Sequence, residues 1–549
     1  MGEATAPAVQ KFYTVGDKDE FDPEKWTSST PNELPERDPE THVKVLIVGA
    51  GFAGLMTALE CWRKGHNVVG ILERNDGPNY SGSSYPDFHA PAEVNGMKRT
   101  SASNGTGFIG DLIIIQPSAI AVFRHWPDML RELEEDKVTA PTYYYRHTSD
   151  LIYGPSEPSY NDPEHLAERE NFPYVGPVQI RKKFYTMLLR QAAKIGIKVD
   201  YGQRVDQYFE DEQAGVGGVV IEGGSVRVAD IVVAADAFKS RSELLIAGKH
   251  MPTQSSGMSV YRVSFPAHLA MQDEEVRKRW EGVTANEFWL GAGMHIGLYV
   301  SPDLVAFGIT PRDEFLVEGS AKAKESWDPD VDPEEVIELL RRLPGWHPAV
   351  EALIRATPRG RLIHWPLLWR NLRQEWTSRG GRVVQVGDCA HSTIPASVSG
   401  GTLALEDAIT LASSLQLASH GGPSGAPLGA KVYNLLRYQR VSCTQKMAFV
   451  NSQLLNATSD WDAIMKDPKT VRLRFPKWVF NHDPEAYVYE KYGQAFAHLV
   501  TGAKFENTNF PPDISLYPGQ LKTSIRILEK ERKLSSCWME IGHKVSATD

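Results

Sequence analysis

Apolar positions cluster most sharply at Val43 to Val48, where only Lys44 interrupts the run. A run of this length and density predicts a strand buried on both faces, as in a parallel sheet. A glycine turn follows, and Ala53 to Lys64 reads as a helix that Gly65-His66-Asn67 breaks. Val68 to Glu73 then reads as a second strand. Strand, glycine turn, helix and strand make the opening βαβ unit of a doubly wound fold.

The same pattern returns further along. Pro117 to Glu135 reads as a helix opened by proline, and Arg181 to Lys194 as an amphipathic helix with Phe184, Leu188 and Leu189 inward. Val226 to Ala235 and Arg382 to Val386 read as strands, and Leu403 to Leu417 as a helix. Residues 255–375 are dense in aromatic residues, and alternation along Leu298 to Ile309 points to a separate sheet. Residues 138–175 read as short strands and loops, residues 75–107 as loop, and the chain beyond 420 as mainly helical. Residues 1–42 are polar and aperiodic and read as an extended or disordered leader. At 549 residues, two closely joined domains are expected. One is discontinuous, built from 43–140, 176–250 and 376–420. The second takes 141–175 and 251–375, and 421–549 form a helical extension.

Composition narrows the partners. The formal net charge of −10 argues against nucleic acid as a main partner, because phosphate neutralisation needs a basic field. Cys61, Cys389, Cys443 and Cys537 are far apart without a CxxC spacing, so neither a disulfide framework nor a metal site is expected. The N-terminus lacks the pattern of a signal peptide, and Leu112 to Phe123 is too short to span a bilayer. A cytoplasmic protein without stable membrane insertion is the expectation; the oligomeric state is left open.

Two motifs carry chemistry. Gly49-Ala50-Gly51-Phe52-Ala53-Gly54 lies between a strand and a helix. There Gly49 permits the turn, Gly51 admits a pyrophosphate, Gly54 lets helix and strand pack, and the helix N-terminus favours phosphate. Glu73, 24 residues after Gly49, stands where a carboxylate binds ribose hydroxyls, with Arg74 beside it. The alternative is a chance glycine-rich turn. The second motif, Gly387-Asp388-Cys389-Ala390-His391, precedes Pro395, Gly400-Gly401-Thr402 and Glu406-Asp407. Asp388 at a strand's carboxyl end could accept from a ribityl hydroxyl, and the N–H groups at Gly401 and Thr402 could stabilise negative charge on a reduced flavin. Alternatively Asp388 is only a turn residue ahead of a capped helix.

With these motifs in this order, the chain resembles the class A FAD-dependent monooxygenases, the group of para-hydroxybenzoate and salicylate hydroxylases, and looks closest to their fungal secondary-metabolism members. The resemblance covers roughly residues 43–520. It implies an α/β fold: a Rossmann-type FAD-binding domain, an interleaved α+β substrate-binding domain and the helical C-terminal extension. It implies that Gly49 to Gly54, with Phe52 and Ala53 between the glycines, hold the ADP half of FAD. It assigns Asp388, Pro395, Gly400, Gly401 and Thr402 to the ribityl chain and flavin. Asp236, in Asp230 to Ala237, matches the family's middle Asp-Gly motif, and Arg181 its FAD-touching arginine. The Gly110 to Leu133 segment, and Tyr487 to Pro512 in the fungal branch, also match. The family's electron source is NADPH or NADH, bound transiently; no second GxGxxG is present, since Ile296 follows Gly291-Ala292-Gly293 where a glycine is needed.

Two departures stand out. Ala237 replaces the glycine of Asp-Gly, and Val398 replaces the first glycine of the Pro-x-x-Gly-x-Gly turn. A β-branched residue avoids positive φ, so Val398 predicts another backbone path or a side chain lining the site. The resemblance implies hydroxylation or epoxidation of an electron-rich aromatic, indole or alkene, with O2 as co-substrate and no obligatory catalytic side chain named. The departures keep open a non-redox cyclase or isomerase, or a binding protein that has lost FAD. Among other candidates, Trp289, Tyr299, Phe307, Trp365 and Trp369 are read as core or substrate wall. Arg262, His295 and His364 are read as structural or substrate-orienting, His391 and Cys389 as structural, and Arg526 to Lys533 as a solvated helix face.

Overall fold

The computed structural model describes residues 34–78, 93–94, 97–98, 112–168, 174–316, 331–359, 361–456, 461–473 and 475–511. Strand β1 (Lys44–Val48) buries four of its five residues and lies inside a five-stranded parallel sheet. Its alternating side chains serve two cores. Val45 and Ile47 pack with helical residues such as Leu55, Leu59, Leu405 and Ile409. Leu46 and Val48 pack with Val205, Tyr208, Val219 and Ile221. Burial on both faces is why this run lacks polar alternation. Helix α1 (Phe52–Arg63) and strand β2 (Asn67–Leu72) complete the expected βαβ unit.

Further along come β3 (Thr142–Arg146), β4 (Leu151–Ser156), α2 (Arg181–Lys194) and β5 (Val199–Asp200). Strands β6 (Val205–Asp211), β7 (Val216–Ile221) and β8 (Val226–Ala229) form an antiparallel sheet covering one face of the parallel sheet. Strands β9 (Ile231–Ala234), β10 (Gln254–Pro266), β11 (Ala285–Gly291), β12 (Met294–Val300), β13 (Leu304–Pro311), β14 (Ile363–Trp369) and β15 (Val383–Gln385) follow. The parallel sheet runs β15-β9-β1-β2-β5, and a seven-stranded sheet runs β14-β10-β13-β12-β11-β3-β4. Helices α3 (Gly400–Ala418) and α4 (Ala426–Asn456) close the molecule; α4, at 31 residues, packs on α3 and reaches β11 and β12. Among the described residues no helix is long and apolar enough to cross a membrane.

The structure corrects several expectations. The single strand over Val226 to Ala235 is two, β8 and β9, in different sheets. Asp230 makes the break, its carboxylate accepting from the Lys44 amide at 2.8 Å. The alternating stretch Leu298 to Ile309 is likewise a hairpin, turned at Ser301, whose hydroxyl accepts from the Leu304 amide at 3.0 Å. The helix over Pro117 to Glu135 is interrupted by a 3₁₀ segment at Ala121–His125 and restarts at Pro127, which needs no N–H partner there. Gly291 to Gly293 form the β11–β12 hairpin turn, with Gly293 at φ 79°. Of the leader expected over residues 1–42, residues 1–33 lie outside the described residues and 34–42 are held in place. Arg37 donates to the Trp62 carbonyl at 3.0 Å and the Asp38 amide to the Arg63 carbonyl at 2.8 Å, tying residues 34–42 to the end of α1. Residues 526–533 and Cys537 lie outside the described residues.

Candidate active site

The carboxyl ends of β1, β9 and β15 open onto a cavity of about 1300 Å³ that runs on to one face of the seven-stranded sheet. Single small-ligand pockets span about 300–1,000 Å³, so this space suits a large cofactor and a second molecule together. Open α/β sheets bind ligands at this edge.

The glycine turn closes the cavity at the β1 end, and its glycines do different work. Gly49 has φ 104°, and a Cβ there would lie 2.3 Å from the Ala235 carbonyl oxygen. A Cβ on Gly54 would lie 1.8 Å from the Gly49 oxygen, so Gly54 lets α1 rest on the turn itself. A Cβ on Gly51 would meet no atom within 4 Å, yet Gly51 lines the cavity. The fold does not require glycine there; the space it leaves does. Phe52, Ala53 and Arg74 line the same region. Arg181, first residue of α2, lines it with its guanidinium 4.4 Å from the Phe52 ring centroid. Glu73 also lines the cavity, but it braces the turn: Oε2 accepts from the Ala50 amide at 2.8 Å and Oε1 from the Asn75 amide at 3.0 Å. Only its remaining lone pairs are left for a ribose.

At the β15 end, Gly387 has φ 60° and aims Asp388 into the cavity. The exposed surface of Asp388 is cavity surface, and the enclosure raises its carboxyl above the ordinary range, against the pull of His391 and Arg181. Pro395, Gly400 and Gly401 line the adjoining wall. Helix α3 starts there without a side-chain cap. The N-cap Ser399 hydroxyl is engaged elsewhere, donating to the Ser397 carbonyl and accepting from Gln116 Nε2, both at 2.7 Å. The orphan N–H groups and dipole of the first turn thus face the cavity. The Thr402 side chain does not: its hydroxyl accepts from the Gln116 amide at 3.0 Å and is buried. Asp236 lines the cavity from β9 and accepts from Cys389 Sγ at 3.3 Å; burial raises both the Asp236 carboxyl and the Cys389 thiol.

The two departures from the family pattern both stand at positive φ. Val398 sits at φ 45°, ψ 24° and Ala237 at φ 65°. Both occupy the left-handed region that glycine adopts readily, although a β-branched residue such as Val398 avoids it. Its side chain packs on the core and lines the cavity. Residues held this way are strained by about 1–3 kcal/mol and concentrate at functional sites.

Beneath the Gly-Asp turn lies a buried charge network. Asp407 Oδ2 accepts from the Gly387 amide at 2.9 Å and from His391 Nε2 at 2.5 Å. Arg437 donates to Asp407 Oδ1 at 2.7 Å and to Glu406 Oε2 at 2.6 Å, and Arg440 donates to both Glu406 oxygens at 2.8 and 2.9 Å. Burial alone would raise both carboxyls; the arginines, and His391 for Asp407, hold them below the usual range. His391 therefore serves this network and the Trp376 ring 5.3 Å away.

On the sheet side, Tyr299, Trp365 and Arg262 line the cavity, the Arg262 guanidinium 4.1 Å from the Trp365 ring centroid. Phe307 borders it, but its ring belongs to the core on the far face, with Phe265. Trp289 and Trp369 are buried away from the cavity: Trp289 bonds Glu287 at 2.8 Å and Trp369 packs on Phe449. His295 bonds Asn456 at 3.0 Å and His364 stacks on Tyr261 at 4.3 Å. Sequence reasoning missed Lys239, Arg241 and Arg370, which also line the cavity. Arg370 is held by Glu243 and packs 4.0 Å from the Phe238 ring centroid. A signal existed, since the first two directly follow the Asp236 motif and Arg370 directly follows a strand.

Comparison with known proteins agrees with this geometry. Residues 146–430 match the family described as FAD binding domain. The chain is similar to the FAD-dependent monooxygenase AacuC of Aspergillus aculeatus, 60% identical over 508 residues and covering 91% of this chain and 93% of the relative. It is also 60% identical over 515 residues to the FAD-dependent monooxygenase nsrK of Aspergillus novofumigatus, covering 91% and 92%. Among solved structures, FqzB superposes with a TM-score of 0.69 at 24% identity, over 88% of this chain and all of that one. A salicylate hydroxylase in its substrate complex superposes with a TM-score of 0.60 at 19% identity, over 81% and 97%. These two structures establish the shared fold.

Proposed function

This chain belongs to the class A FAD-dependent monooxygenases, in their fungal secondary-metabolism branch, and on that premise we propose that it hydroxylates an electron-rich aromatic small molecule with O2, FAD and electrons from NADPH or NADH. The observation that carries the reading is the continuity of one cavity: it joins the Gly51 turn and the open start of α3 to a sheet wall bearing Tyr299, Trp365 and Arg262.

The residues fit FAD. The space at Gly51 and the N-terminus of α1 suit the pyrophosphate, with Arg74 and Arg181 adding positive charge. Asp388 is placed to accept from a ribityl hydroxyl. When bound, FAD supplies the redox chemistry that activates dioxygen. The protein's part is position, electrostatics and dryness. The first turn of α3 offers donors and a partial positive charge that would favour negative charge on a flavin ring held beside it. Gln116, bonded to Ser399 and to the Val398 carbonyl, fixes that turn. The aromatic wall excludes water from the substrate. Val398 and Ala237 hold the positive φ that glycine adopts readily, and the relatives are monooxygenases by name, so the non-redox cyclase is not favoured.

The test is spectroscopic. Purified protein should carry flavin bands that bleach with NADPH or NADH without air and return on aeration. Faster bleaching with an electron-rich aromatic present, and stoichiometric hydroxylated product, is the expected result. Bound flavin that ignores both reductants in the presence of substrates would overturn the reading.

A further inference from the structure

Two glycines on the cavity face of the seven-stranded sheet are not explained by the fold. Gly297 of β12 and Gly308 of β13 lie directly opposite one another. In the same cross-strand row Gly308 faces Arg262 of β10, and Gly297 faces Phe288 of β11. Neither glycine is among the residues with positive φ. A Cβ on Gly308 would come no nearer than 3.9 Å to any atom, Val260 Cγ2, and one on Gly297 no nearer than 3.7 Å, Phe288 Cε1. These are ordinary contacts. Strands favour β-branched and aromatic residues, and glycine weakens a strand. Two adjacent, unforced glycines mark a place where something approaches the backbone closely. Both line the cavity.

The surroundings give the strip a shape and a polarity. Neighbouring strands lie about 4.8 Å apart, so the bare stretch between the Arg262 and Phe288 strands is on the order of 10 Å long. Phe288 closes one end, stacked on Tyr144 with centroids 5.2 Å apart and planes 13° from parallel. Arg262 stands at the other end, oriented by the Trp365 ring. Tyr299 and Ala306, paired in the next cavity-facing row, form one long side, and Val260 flanks the other. The floor is therefore flat, longer than a single benzene ring, and charged at one end. A guanidinium stays cationic across the physiological range and pairs with planar oxyanions.

We propose that Gly297 and Gly308 are specificity-determining residues: they form the floor of a slot that selects a flat, fused-ring aromatic, lying face-down on bare backbone with an acidic oxygen, phenolate or carboxylate, on Arg262. This rests on the monooxygenase reading above and names the substrate class of that site. A bulky aliphatic ring system lacks the flatness the slot demands, and a neutral one forfeits Arg262.

Calorimetric titration of the flavin-loaded protein with naphthoate, adamantane carboxylate and naphthamide tests it. Naphthoate should bind tighter than either of the others by about tenfold or more, a difference of about 1.4 kcal/mol. Gly297→Val and Gly308→Val should each weaken naphthoate binding by a similar factor while flavin content and melting temperature hold, since valine suits a strand. Gly297→Ala and Gly308→Ala serve if a valine variant loses flavin. Arg262→Gln should erase the preference for the acid over the amide and leave the preference for the flat shape. The proposal is overturned if flavin-loaded wild type binds the globular acid as tightly as the flat one, or binds none of the probes. It is also overturned if both valine variants bind naphthoate like wild type. A wild-type protein that purifies without flavin would instead strike at the monooxygenase reading itself.

Discussion

Arg437→Ala should destabilise the protein by about 4 kcal/mol and release flavin before the fold is lost. Arg437 is almost wholly buried and donates to Asp407, to Glu406 and, at 3.2 Å, to the Leu403 carbonyl. Charge-assisted hydrogen bonds contribute roughly 1.5–3 kcal/mol each, so simple addition gives roughly 4.5–9 kcal/mol. That sum is too large here, because the acceptors keep other partners. Glu406 retains Arg440 and Ser118, and Asp407 retains His391 and the Gly387 amide. The expected loss falls to the range for breaking a buried ion pair, about 3–5 kcal/mol. The flavin effect has its own route. Asp407 holds the amide of Gly387, whose φ of 60° sets the direction of Asp388. Denaturant unfolding of flavin-loaded protein gives the stability, and the ratio of flavin to protein absorbance gives occupancy. Arg437→Lys keeps charge but loses the fork, and should fall between wild type and alanine on both measures. An alanine variant within about 0.5 kcal/mol of wild type, with full flavin, would refute the argument, because a change of that size is typical of an inconsequential surface site.

Other outcomes follow from the same geometry. Gly51→Val should abolish flavin binding with an unchanged far-ultraviolet circular dichroism spectrum, because the side chain enters open cavity; full flavin occupancy would sink the pyrophosphate assignment. Ala237→Gly should stabilise the protein by about 1 kcal/mol, the left-handed strain relieved less the added chain entropy of glycine; unfolding midpoints measure it. Burial lowers the imidazole of His66 from 6.5 to about 4; its Nδ1 lies 2.7 Å from the Thr41 hydroxyl and its Nε2 3.0 Å from the Ala412 carbonyl. The folded state therefore holds it neutral while the unfolded chain protonates below about 6.5. This neutral burial loses stability as pH falls from 6.5 towards 4, by about 3 kcal/mol in all. His66→Gln should flatten that part of a stability–pH profile.

How much the chain discloses in advance depends on whether a feature is local. The β1–α1–β2 unit was legible because strand, turn and helix follow one another within thirty residues. Continuity was over-read where a turn is made by ordinary polar residues: Asp230 splits one apparent strand through a side-chain bond to Lys44, and Ser301 folds another by bonding its own turn. The first carries no glycine or proline; the second does carry a turn signal, Pro302 after Ser301, which the alternation on either side of it masked. The aromatic residues show a second limit. Trp365 and Tyr299 reach the cavity while Trp289 and Trp369 do not, though all four lie on strands of one sheet. Trp289 lies on the opposite face, which register decides; Trp369 shares a face with Trp365 but is covered by Phe449, a contact from a distant helix. The Arg437 and Arg440 network needs contacts across about thirty residues, and only their spacing of three on one helix hinted at a shared face.

Val398 shows how a substitution can mislead when it is read by propensity alone. Its β-branched side chain argues against positive φ, yet it holds φ 45°. The reason is context: the Val398 amide donates to Pro395 at 2.8 Å, and its carbonyl accepts from Gln116 Nε2 at 3.1 Å. The chain is bound on both sides of the residue, and the next turn of structure is α3, anchored in the core by Leu403 and Leu405. A preference of a few kcal/mol yields to that many fixed neighbours. Gly297 and Gly308 are the converse case. There no contact or dihedral demands the residue type, so its cause lies outside the protein's own packing. A residue that conflicts with its local preference reports what the fold imposes. One that the fold leaves free, and that still lacks a side chain beside a cavity, reports what the cavity holds.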